Sequence, residues 1–88
     1  MPVYIVQFED NEEFAAERQR HMSDHLAFLD ANATLITAAG PLLAPDTEVG
    51  AGGLWIVNAK SAAEVEALVH ADPLWPTGLR KSFHVLQW

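Results

Sequence analysis

His25 is the side chain in this sequence best placed to move a proton, because it stands where an apolar residue is expected. The stretch from Glu12 to Asn32 reads as one amphipathic helix. At 100° per residue its apolar side chains, Phe14, Ala15, Met22, Leu26 and Leu29, gather in one arc. His25 falls inside that arc, between Phe14 and Leu29, with Arg18 beside it. A polar group on a buried face needs partners or it costs free energy, and an imidazole titrates close enough to neutrality to shuttle protons. A core histidine bonded to a backbone carbonyl is the alternative reading of the same placement. His21 and His25 also stand four apart with Glu17 extending the series, which is metal-ligand spacing. The run His-Met-Ser-Asp-His is not the His-Glu-x-x-His of zinc proteases, so no metal is expected. No nucleophile accompanies His25, since Ser23 points away from the apolar arc. Proton transfer, elimination or isomerisation therefore fits better than acyl transfer.

Other residues able to do chemistry are few. Asp72 closes a second helix just before Pro73, where a carboxylate also has a plain use in ordering the turn. Trp55, Trp75 and Trp88 suit an aromatic pocket as well as a core, and Trp75 lies closest in sequence to Asp72. His70 and His84 read as surface or strand residues. Gly40-Pro41 and Gly52-Gly53 precede no helix with phosphate-loop spacing, so they read as turns or bulges, and no nucleotide cofactor is expected.

These residues must be held by one domain, for the chain has 88 residues, half of them apolar. The formal charge of −7, with five Lys and Arg, argues against nucleic acid and anionic membrane surfaces as partners. No apolar run approaches the roughly 20 residues of a membrane span, and no basic stretch precedes an apolar one near Met1, so no secretory signal is expected. The absence of cysteine fits a cytoplasmic protein. A small molecule or another protein is the expected ligand.

Strand-like Val3–Phe8 leads to Asp10, an expected N-cap with Glu13 in capping-box spacing. After the long helix, residues 34–43 read as a strand interrupted by Gly40-Pro41. Residues 44–52 read as a flexible connection and 53–59 as a third strand. Ser61 with Glu64 opens a helix to about Ala71, which Asp72-Pro73 stops. A turn-rich piece then leads to a last strand over 79–88. The order βαββαβ gives a ferredoxin-like α+β fold, a four-stranded antiparallel sheet with two helices on one face. Val3, Tyr4, Ile5, Val6 and Phe8 supply apolar side chains to both faces of the first strand, and 54–57 do the same in the third. The face without helices must meet something apolar, and a second copy of the chain is the simplest candidate, giving a homodimer.

The run His25-Leu26-Ala27-Phe28-Leu29, then Ala39-Gly40-Pro41-Leu42, Gly53-Leu54-Trp55-Ile56-Val57, Ser61 with Glu64 and Ala67, Asp72-Pro73-Leu74 and Gly78-Leu79 resembles the YCII-related (YciI-like) family over nearly the whole chain. The resemblance implies a ferredoxin-like fold assembled as a dimeric α+β barrel. It also implies a pocket holding a His–Asp pair, here His25 and Asp72. Some relatives are associated with dehydrochlorination of chlorinated hydroxyquinol-type aromatics, and most have no assigned substrate. Around the pair, Arg18, Gly40, Pro41 and Trp75 become the expected substrate-binding residues. The chain departs from its relatives at Met22, three residues before His25, where they often carry arginine.

Three functions follow from this reading. The first is a cofactor-independent enzyme in which His25, oriented by Asp72, acts as general acid and base on a small cyclic or aromatic substrate. The second is a module that binds a small ligand without turning it over. The third is an interaction domain in which the histidine is structural.

Overall fold

Alternation along Val3–Asp10 (β1) sets the two faces of the sheet. Tyr4, Val6 and Phe8 are buried on one side, while Val3, Ile5, Gln7 and Glu9 lie on the other. The structure, a computed structural model, describes residues 1–47 and 49–88. β1 pairs antiparallel with Gly50–Asn58 (β3) on one side and Arg80–Gln87 (β4) on the other. Ile36–Leu43 (β2) forms the far edge beyond β3, giving the order β2-β3-β1-β4. This is the antiparallel ferredoxin-like sheet expected from the element order.

Both helical segments pack on the Tyr4–Val6–Phe8 face. Met22–Ala31 (α2) contributes Phe28 and Leu29, and Ala62–Ala71 (α3) contributes Val65 and Val69 to a core that includes Trp55 and Val57. Val6, Val57, Val65 and Val69 are fully buried, and each such side chain is worth about 1.5–3 kcal/mol of hydrophobic stabilisation. α3 begins as the sequence indicates. Glu64 N–H donates to Ser61 Oγ at 3.2 Å, and Lys60 N–H donates to Glu64 Oε2 at 3.2 Å. No helix of the described residues is long and apolar enough to cross a membrane.

The expected single helix over 12–32 is in fact three pieces. A 3-10 turn at Glu12–Phe14 leads to a short helix, Ala16–Arg20 (α1), and α2 starts only after His21, whose backbone leaves helical geometry at φ −108°, ψ 12°. Phe14 and Leu26, two members of the expected arc, are consequently 40% and 56% exposed. Asp10 is not an N-cap. β1 extends to include it, its side chain goes to Arg18, and Asn11 occupies the cap position while its amide donates to Gly78 O at 2.9 Å. Gly40-Pro41 does not interrupt β2 either, because proline is tolerated on an edge strand. β3 begins earlier than expected, at Gly50, so the connection over 44–52 is shorter. Glu48 within it lies outside the described residues.

Candidate active site

Pro73 forces the residue before it out of helical geometry, and Asp72 adopts φ −64°, ψ 131° at the end of α3. Its carboxylate turns back under the chain, where Oδ1 accepts from Leu74 N–H at 2.9 Å. The same group receives His25 Nδ1 from α2 at 3.0 Å to Oδ1 and 2.9 Å to Oδ2, and Arg80 Nη1 from β4 at 2.8 Å to Oδ2. Asp72 is wholly buried, and a carboxylate in that position is sustained only by such partners. Burial alone would raise its pKa. The hydrogen bond from His25, the Leu74 N–H and the charge of Arg80 outweigh that, and the carboxyl is held below its ordinary value of 3.8. An ionised Asp72 can only accept, so the proton of the bond sits on His25 Nδ1. Neutral His25 therefore carries its free lone pair on Nε2.

That ring borders a cavity of about 180 Å³ between α2 and the sheet. Met22, Leu26 and Leu29 wall it from the helix, and Ala39, Gly40 and Pro41 from β2. Gly53, Leu54 and Trp55 of β3 and Phe8 of β1 supply the sheet side. Phe8 and Trp55 meet edge to face, with ring centroids 5.1 Å apart. Two cations border the same space. Arg18 is tied to Asp10 at 2.6 Å. Arg80 lies with its guanidinium carbon 4.0 Å from the Phe8 ring centroid and 5.2 Å from that of Trp55. Burial lowers the pKa of Arg80 and the charge of Asp72 opposes this; an arginine stays cationic in either case.

His25 and Asp72 thus meet, and Arg18, Gly40 and Pro41 border the cavity beside them. Trp75 does not. It sits in the 3-10 turn Trp75–Thr77 beyond α3, where its indole packs on His70 at 4.8 Å and Phe83 at 5.5 Å, and it is not among the residues that line the cavity. Proximity to Asp72 in sequence misplaced it. His21 and His25 also part company: His21 Nε2 goes to Glu17 at 3.1 Å, while His25 goes to Asp72. Among the described residues no group of three His, Cys, Asp or Glu could hold a metal ion.

Arg80 is the site residue that sequence reasoning missed. Plain alternation from Phe83 would turn Lys81 inward and Arg80 outward. The register instead shifts between Glu9 and Asp10, so Ser82 pairs with Glu9 and Arg80 with Asp10. Lys81 is left outside near Glu9, at 3.5 Å, and Arg80 turns in.

Among solved structures, the chain is similar to 5-chloro-2-hydroxyhydroquinone dehydrochlorinase (TftG) from Burkholderia phenoliruptrix AC1100, determined in complex with 2,5-dihydroxybenzoquinone. The TM-score is 0.85 at 27% identity, over 98% of this chain and 92% of that one. A protein of Arabidopsis thaliana, At3g17210, aligns over 100% of this chain and 93% of its own at a TM-score of 0.49 and 11% identity, too distant to bear on function. No curated protein matches in sequence. The family model for the YCII-related domain matches residues 2–88, from β1 through the His25 helix and the Asp72 turn to the end of β4, and the chain belongs to that family.

Proposed function

We propose that this chain is a small-molecule enzyme whose reaction is a proton transfer at His25, with Asp72 fixing the tautomer and stabilising the imidazolium. One observation carries the reading. An imidazole bonded through Nδ1 to an ionised, buried carboxylate lines a cavity of ring size. A cavity of about 150 Å³ accommodates benzene, so 180 Å³ suits a compact cyclic or aromatic substrate. No cofactor enters this chemistry.

Elimination of HCl from a chlorinated hydroquinone fits these groups. His25 Nε2 removes a hydroxyl proton and returns it to the chlorine-bearing carbon. Chloride then leaves with the bonding pair as a second hydroxyl proton is lost, and the ring becomes a quinone. The net loss is one proton and one chloride, and no external oxidant is needed. The similar dehydrochlorinase supports this reaction class. The assembly proposed is a homodimer through the sheet face that carries no helices.

The test is chloride release from 5-chloro-2-hydroxyhydroquinone under anaerobic conditions. Native protein is expected to release chloride, and His25→Gln to be slower by about 10²–10⁴-fold with an unchanged circular dichroism spectrum. Equal rates in the two proteins would remove His25 from the reaction. Tight binding of the compound without chloride release would favour recognition over catalysis.

A further inference from the structure

The 3-10 turn and α1, residues 12–20, carry little that would pin them to the sheet. Among the described residues, 11–24 form a stretch in which none is buried, whereas α2 is held by His25, Phe28 and Leu29. The two ends of the segment are defined. Asn11 is anchored, its N–H donating to Leu79 O at 2.6 Å and its side-chain amide to Gly78 O at 2.9 Å. His21 leaves helical geometry at the other end, and no side chain caps the start of α2 there. Between them Glu17 pairs with Arg20 at 3.0 Å and with His21 at 3.1 Å, so the short helix keeps its own shape. A segment with few buried apolar contacts opens locally at a fraction of the cost of unfolding.

Two contacts hold the segment down. Phe14, itself 40% exposed, lies beside Gly78, and Arg18 Nη2 donates to Asp10 Oδ2 at 2.6 Å. The second contact reaches the cavity, for among the described residues of 11–21 Arg18 alone lines it. This latch is also incomplete. Asp10 Oδ1 is enclosed without a partner, and a buried acceptor left unpaired costs free energy that contact with water restores. Closing gains one ion pair and strands one oxygen; opening gives both groups back to water. We infer that residues 12–20 are a lid on the cavity, hinged at Asn11 and His21 and latched by Arg18 on Asp10, and that its opening admits small molecules. The lid governs access, so the inference stands whichever chemistry His25 performs.

The test follows the lid and the cavity together. Hydrogen exchange at the amides of Arg18 and His21, which bond to Ala15 O and Glu17 O inside the segment, reports opening. Acrylamide quenching of Trp55, which is 2% exposed and lines the cavity, reports entry of a small uncharged molecule. Trp75→Phe and Trp88→Phe leave Trp55 as the sole tryptophan emitter. In that protein Asp10→Asn is expected to raise both rates by the same factor, about two- to fivefold, the worth of a partly exposed ion pair. The amides of Val65 and Val69 in α3 should exchange as before. Lys81→Met, which breaks the exposed pair with Glu9, should change neither rate. Should Asp10→Asn fail to fold, about 0.5 M salt weakens the latch without a substitution and should likewise raise both. Faster lid exchange with unchanged quenching would mean that the segment moves without guarding the cavity, and would overturn the inference. Faster exchange in α3 as well, or no change in either rate, would overturn it too.

Discussion

His25 and Asp72 are 47 positions apart in sequence and 2.9 Å apart in space, one on the second helix and the other at the last turn of the third. The contact depends on both helices packing on the same face of the sheet, and on Pro73 bending the chain so that the carboxylate points back into the core. A hydrogen bond to an ionised acceptor fixes which imidazole nitrogen carries the proton. That fixed tautomer leads to the first prediction.

Asp72→Asn keeps the shape of the side chain and removes its charge. The new amide can donate to Nδ1, which would put the proton on Nε2 and leave His25 unable to act as a base from the cavity side. Turnover is expected to fall by up to about 10⁴-fold, the scale of the equivalent change in a serine protease triad. The buried Arg80 loses its counter-ion at the same time, so stability in urea should drop by about 3–5 kcal/mol. Stability equal to native would mean that Arg80 has found another partner.

The same carboxylate sets an acid limit. Its folded pKa lies below the ordinary value of 3.8, so below that pH the unfolded chain takes up the proton first, and stability falls as pH falls. The contribution of Asp72 is complete above pH 3.8 and is lost as pH descends through the folded value. The stability gap between native protein and Asp72→Asn is therefore expected to narrow as pH falls below about 3.8. Urea denaturation across pH 2.5–5 measures it, and a gap that widened on descending below pH 3.8 would contradict the assignment.

Sequence pattern carried the element order, because the run of β-branched and aromatic residues in β1 and the capping box at Ser61 are local signals and both elements appear in the structure. His25 was visible for the same reason, as a polar residue at an apolar position. Two features were hidden because they depend on partners distant in sequence. Asp10 reads as a helix cap until β4 pairs with it and draws it into the strand, where Arg18 takes its side chain. Arg80 reads as a solvent-facing residue until the register shift turns it inward toward Asp72. The break at His21 left no sequence mark, since no glycine or proline stands there.

Two glycines near the cavity should respond oppositely to alanine. Gly52 has φ +94°, and a Cβ there would come within 1.8 Å of Phe8 O, a backbone atom that cannot step aside. Gly52→Ala is expected to cost at least about 1–3 kcal/mol from the backbone conformation alone. It should also displace Phe8, against which Arg80 lies. Gly40 has nothing within 4 Å of the added carbon, so Gly40→Ala should change stability by no more than about 0.5 kcal/mol. Thermal melts of both variants decide it, and equal losses would show that the approach of β1 to β3 is not what requires Gly52.

The sheet face without helices carries a row of apolar residues in which Ile5 stands opposite Ile56 on one side and Leu86 on the other. Val3 and Leu54 flank the row, and Leu86 is 52% exposed. Gln7, Glu9, Ser82 and His84 occupy the other end of the same face, so the apolar part is a bounded patch with a polar margin. A second copy laid on it by a two-fold axis would bury both patches at once. The expected mass in sedimentation is twice the 9.7 kDa of one chain. Ile56→Glu places a charge at the centre of the patch without touching the buried Trp55–Val57 side, so it should give a folded monomer. His25–Asp72 geometry lies on the opposite face, and the cavity should still bind ligand in that variant unless the partner completes its wall. Native protein sedimenting at 9.7 kDa at millimolar concentration would rule out self-association as the cover for this face.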